Sequence, residues 1–158
     1  MAKLHSPRFE TAGPIHVAGI RAHYSCGGDA RIAAQWQKLG EMMPKLPPQI
    51  RPVAYGVCFD RPGDLEYVAG IEVAPDAEVG ASASKLRLPE HRYVVFPHDG
   101  HVSALAQTCA AIFRDWAPGS GCELVREKDG AQMFFERYGQ GFDPQAGRGD
   151  IEVWVPIK

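Results

Sequence analysis

Apolar and polar positions along the chain change period several times, and each change marks an element. From Phe9 to Tyr24, apolar and β-branched residues (Ile15, Val17, Ile20) follow Gly13-Pro14, predicting one strand that bends or begins at the proline. Ser25 to Asp29 reads as a loop ending in a helix cap, after which Ile32, Trp36, Leu39 and Met43 recur at helical spacing. Pro44, Pro47 and Pro48 end that helix, because proline lacks the backbone N–H that continuation needs. Val53 to Phe59 and Leu65 to Val73 read as two strands joined by a hairpin loop over Asp60 to Asp64, with Tyr55, Val57 and Phe59 on one face.

Ala74 to Pro89 mixes Pro, Gly, Ser and Ala and is predicted to be a connector without chemistry. The same succession then recurs. His91 to Phe96 is strand-like, a second helical stripe runs from Val102 through Leu105, Cys109 and Ile112 to Trp116, and Pro118 to Gly121 stops it. Gln132 to Tyr138 and Ile151 to Pro156 complete the second unit, separated by a Gly/Pro/Asp-rich loop from Gly139 to Gly149. The expected fold is therefore α+β: one domain made of a tandem strand-helix-strand-strand duplication, about 9–73 and 90–158. Its antiparallel-rich curved sheet carries both helices on one face. A ligand pocket is expected at the pseudo-two-fold seam, on the face that the helices leave free.

The strand Gln132 to Tyr138 holds the most unusual chemistry. Alternation puts Phe134, Glu136 and Tyr138 on one side, so a carboxylate stands between two aromatic rings. Such a carboxylate loses hydration and needs a hydrogen bond, a positive group or a proton in return, and an organic cation can supply the charge. In the last strand Trp154 faces away from Ile151, Val153 and Val155, which predicts a pocket role for it. The helical spacing of Trp36 predicts a core position near the pocket floor.

Composition narrows the partners. With 158 residues, 45% apolar, 23% charged and a net charge of −2, the chain has the make-up of a globular protein, without the basic run that nucleic acid calls for. No stretch approaches the roughly 20 apolar residues of a membrane helix, and no signal-like segment opens the chain, so a cytoplasmic protein without a membrane partner is expected. Cys26, Cys58, Cys109 and Cys122 are too scattered for a zinc knuckle or redox pair and are expected to be reduced. His98, Asp99 and His101 surround a strand-to-helix turn and read as a cap, not a metal site. Ser103 lacks a nucleophile elbow, and the glycines form no phosphate loop. No cofactor is expected.

Five segments in order resemble the GyrI-like small-molecule-binding family: Ala54 to Asp60, Leu65 to Gly70, Leu88 to Phe96, Phe135 to Tyr138, and Ile151 to Ile157. That family includes effector-binding domains of AraC-type and MerR-type multidrug regulators, the DNA gyrase inhibitor protein, and stand-alone members proposed to bind or hydrolyse toxic small molecules. The resemblance implies a duplicated Rob-type fold and places the family's functional acid at Glu136, with pocket aromatics at Tyr55, Tyr138 and Trp154. Phe134 and Phe59 complete the expected lining. Only a few residues precede the first strand, so a helix-turn-helix and direct DNA binding are not expected.

Three functions follow as expectations. The favoured one is binding of a lipophilic cationic or aromatic compound, with Glu136 neutralising its charge. The second is hydrolysis of a strained-ring electrophile such as a cyclopropane, with Glu136 as catalytic acid or base. The third is a protein-interaction role, with gyrase or another partner docking on an edge strand.

Overall fold

The computed structural model describes residues 4–25, 29–127 and 131–158. Eight strands form one antiparallel sheet in the order β1-β6-β8-β7-β3-β4-β2-β5. They are β1 (Arg8–Ala12), β2 (Ile15–Tyr24), β3 (Ala54–Arg61), β4 (Asp64–Glu72), β5 (Ser84–Leu88), β6 (His91–His98), β7 (Gln132–Tyr138) and β8 (Ile151–Ile157). Helix α1 spans Asp29–Met42 and gives way to a tight turn at Met43–Lys45, where Pro44 removes a donor. Helix α2 spans Leu105–Ala111 and continues as a wider π turn over Ile112–Trp116. The cap expected at Ser25 to Asp29 falls mainly on residues outside those described.

The two repeats are β2-α1-β3-β4 and β6-α2-β7-β8, and they meet where β3 pairs with β7. Two departures from the expected pattern explain how the units lock together. The single strand expected over Phe9 to Tyr24 is two: β1 leaves to pair with β6 of the other repeat, while β2 pairs with β4. The expected connector contains β5, which pairs back onto β2. Each repeat thus lends its leading strand to the edge of the other.

This exchange bends the sheet. β1 and β2 stand six strand positions apart in the sheet order, about 29 Å if the sheet were flat. Only Gly13 and Pro14 join them, a link that reaches about 11 Å. Pro89 and Glu90 make the equivalent short link from β5 to β6, again across six positions. Both links are satisfied only if the sheet curls until its ends meet. The links also touch, since a Cβ on Gly13 would lie 3.0 Å from the Pro89 carbonyl oxygen, and Gly13 has a φ of +109°.

Curling buries both faces. Tyr67, Val94, Phe96, Phe134, Val153 and Val155 pack on one side with Leu39, Leu105 and Ile112 of the helical segments. On the other, Val17, Val57, Val68, Tyr93, Val95 and Phe135 pack on one another inside the curve. The face without helices is therefore packed largely by its own side chains.

Candidate functional site

The β3–β7 register decides what surrounds Glu136. Gly56 lies opposite it and Cys58 lies opposite Phe134, while Cys58 is in turn paired with Tyr67 on β4. Because Gly56 has no side chain, the Glu136 carboxylate and the Tyr67 hydroxyl fold over it. A Cβ there would be 2.6 Å from Glu136 Oε1 and 2.1 Å from Tyr67 Oη.

Two phenols converge on one carboxylate oxygen. Tyr67 donates to Glu136 Oε1 at 2.7 Å and Tyr138 donates to the same atom at 2.8 Å. The Trp36 indole N–H donates to the Tyr67 oxygen at 3.1 Å, extending the chain to α1 and fixing which way the phenol proton points. Trp36 also packs edge-on against Tyr138, with ring centroids 5.3 Å apart. Burial pushes the Glu136 carboxyl above the ordinary range, an effect that the hydrogen bonds from Tyr67 and Tyr138 only partly offset. Burial, then the neighbouring carboxylate, keeps both tyrosines protonated well beyond neutral pH, so they remain donors. Neither tyrosine occupies Oε2, and among the described residues no arginine, lysine or histidine forms an ion pair with Glu136.

Above this group lies a cavity of about 830 Å³, walled by α1, α2, β3, β4 and β7 at the seam. Its lining is largely apolar: Trp36, Leu65, Phe113 and Phe134 surround the approach to Glu136. Phe113 and Phe134 stand with centroids 5.0 Å apart, an aromatic pair contributed by a helix and a strand.

Of the residues singled out in the sequence, Glu136, Tyr138 and Phe134 come together here, and Tyr55, Phe59 and Trp154 do not. These three lie on the other side of the sheet. The expected pocket was on the face without helices, whereas this cavity lies between the helices and the sheet. The reason is register: Glu136 pairs with Val153, so it shares a face with the aliphatic residues of β8, and Trp154 beside Val153 points the opposite way. Trp154 instead stacks on Phe135 with centroids 5.5 Å apart and donates to Glu152 Oε1 at 3.1 Å. Tyr55 donates to the buried Glu72 carboxylate at 3.1 Å, beside Arg51. Tyr55, Trp154, Arg51 and Glu72 border a separate, smaller cavity of about 350 Å³.

Tyr67 was not identified from the sequence. Its signal is the alternation Leu65, Tyr67, Ala69 on one face of β4 together with a glycine on the neighbouring strand, and reading it requires the strand pairing. The histidines at the turn have structural partners: the His98 ring nitrogens lie 2.8 Å from Thr108 Oγ1 and 2.9 Å from the His101 carbonyl, tying β6 to α2. His101 caps the following turn by accepting from the Ser103 N–H at 3.0 Å. Cys58 is buried, Cys109 and Cys122 are partly buried, and all three are free thiols; Cys26 lies outside the described residues.

The α+β duplication thus carries at its seam a largely apolar cavity with an acid at its floor. The chain belongs to the GyrI-like small molecule binding domain family, whose model matches residues 5–158. Among solved structures it is similar to SAV2435 bound to tetraphenylphosphonium, at 22% identity and a TM-score of 0.72, covering 98% of this chain and 94% of that one. It is similar to the C-terminal domain of EcmrR, at 14% identity and TM-score 0.66, covering 97% of each chain. A hydrolase encoded by lin2189 from Listeria innocua matches at 12% identity and TM-score 0.53, covering 97% of this chain and 93% of that one. No curated protein matches the sequence. Among the described residues, no helix is long and apolar enough to cross a membrane.

Proposed function

We propose that this protein binds lipophilic organic cations in the seam cavity, with the Glu136 carboxylate as counter-charge and Trp36, Tyr138, Phe113 and Phe134 as the aromatic walls. One observation carries the reading: a carboxylate held by two phenols on a single oxygen, at the floor of a largely apolar cavity of about 830 Å³, with no cation paired to it among the described residues. A carboxylate so desolvated is costly without a positive partner. A delocalised cation restores the charge balance while losing little hydration of its own, and contact with an aromatic face adds about 0.5 to 2 kcal/mol. The tetraphenylphosphonium on SAV2435 is a ligand of this chemical kind.

A second reading uses the same geometry. A carboxyl group with raised pKa, flanked by two protonated phenols, suits general acid or base attack on a strained ring with water as nucleophile. The size and largely apolar lining of the cavity suit a bulky lipophilic ligand, so binding is the better-supported function. A gyrase-directed role through an edge strand has less support, because the edge strands β1 and β5 are each five residues long.

The two readings separate in one experiment. Wild type and Glu136→Gln are titrated with tetraphenylphosphonium, following quenching of tryptophan fluorescence, and are incubated in parallel with a cyclopropane-bearing electrophile while product is followed. Binding weakened roughly tenfold to hundredfold by the substitution, about 1.4 to 2.8 kcal/mol, without turnover in wild type is the expected outcome. Product formed by wild type and lost in Glu136→Gln establishes the hydrolase instead.

A further inference from the structure

A second acid borders the same cavity and is used by nothing described so far. Asp60 lies on β3 four residues beyond Gly56, the residue opposite Glu136, and on the same face. Along the strand this places the two carboxylate-bearing positions about 13 Å apart. The space between them is apolar, bordered by Cys58, Leu65, Phe113 and Phe134. Glu136 is at the floor, whereas Asp60 is exposed at the rim.

Among the described residues, Asp60 forms no ion pair within 4 Å. Its chain neighbour Arg61 reaches Asp64 at 3.5 Å, and Arg114, which borders the rim from the helical side, forms no ion pair with Asp60 within 4 Å. Partial burial pushes the Asp60 carboxyl upward. The cavity thus has a negative group at each end and an apolar middle.

Resting on the reading of Glu136 as a cation acceptor, we propose that the cavity is two-ended and selects bis-cations: one quaternary centre against Glu136, a second against Asp60, and an apolar spacer across the aromatic middle. A singly charged amphiphile satisfies only the deep end. A two-headed one gains the additional rim interaction, moderated by solvent and by the nearby Arg114 guanidinium.

The test compares decyltrimethylammonium with decamethylene-bis(trimethylammonium), which share a spacer and differ in the second charge. Affinities are measured calorimetrically for wild type, Asp60→Asn and Glu136→Gln at low ionic strength, with thermal melts confirming that each variant is folded. In wild type the bis-cation is expected to bind about fivefold more tightly than the mono-cation, the size of effect that a partly exposed ion pair gives. Asp60→Asn is expected to bring that ratio to about one. A ratio near one in wild type, or a ratio that Asp60→Asn leaves intact, overturns the two-ended site. In that case, decyltrimethylammonium binding lost in Glu136→Gln still supports the deep acceptor. If neither compound binds wild type, both readings fall.

Discussion

Glu136 is set apart by the imbalance between what burial costs its charge and what two phenols return. A neutral–charged hydrogen bond contributes about 1.5 to 3 kcal/mol, yet both phenols spend theirs on Oε1, and the carboxyl remains above its ordinary range. If Glu136 is the cation's partner as proposed, it serves mainly above this raised pKa, and cation affinity is predicted to fall as pH drops through it. The folding linkage has the same origin: with its folded pKa raised, Glu136 lowers stability as pH rises from the unfolded value through the folded one. Tyr67→Phe removes one donor to the carboxylate and is predicted to move the affinity midpoint to higher pH, as measured by tetraphenylphosphonium titrations across pH. An unchanged midpoint contradicts the role given to that phenol. At this scale the acid was legible, because a glutamate between aromatics on one strand face is a local pattern. Tyr67 was not, because its partnership depends on which strands pair.

Strand β7 works through alternation, presenting Phe134, Glu136 and Tyr138 to the helices and Met133 and Phe135 to the inside of the curve. Its register with β3 supplies the glycine that makes room for the carboxylate. Gly56→Ala places a methyl group where the Tyr67 hydroxyl and Glu136 Oε1 now sit. It is predicted to weaken cation binding at least tenfold and to destabilise the fold by about 1 to 3 kcal/mol, as read by calorimetry and denaturant unfolding. Binding equal to wild type contradicts the proposed placement of the carboxylate. Helix positions were readable from periodicity, since Ile32, Trp36, Leu39 and Met43 fall on the face that packs. Strand β5 was hidden: Ser84-Lys85-Leu86-Arg87-Leu88 has few large apolar residues because it is a short edge strand, and its pairing with β2 is what makes it a strand. Trp154 shows the limit of alternation. The period correctly separates Trp154 from Val153, but only the β7–β8 register shows which of them joins Glu136.

The molecule as a whole is held by exchange. β1 and β5 each complete the other repeat's sheet edge, and the two short links that carry them cross in contact at Gly13 and Pro89. The repeats are predicted to unfold as one unit. Gly13→Ala meets both an unfavourable backbone conformation and the Pro89 carbonyl. It is expected to cost about 1 to 3 kcal/mol and to lower hydrogen-exchange protection in both halves together. Loss confined to one half contradicts the interlock. The duplication itself was visible in the order of elements, whereas curvature and the exchange of leading strands are properties of pairing that no local pattern carries. Their consequence for the cavity is that side chains pack most of the inner face, where a smaller cavity of about 350 Å³ remains, and the larger space lies between helices and sheet.

The most direct test is the number of protons released when tetraphenylphosphonium binds, measured by calorimetry in buffers of different ionisation enthalpy. It is done at the pH where Glu136 is half-protonated in the free protein. Proton release by wild type, absent in Glu136→Gln together with a weakened affinity, is the predicted result. Equal affinity in the two proteins with no proton released by either contradicts the Glu136 carboxylate as the cation's partner.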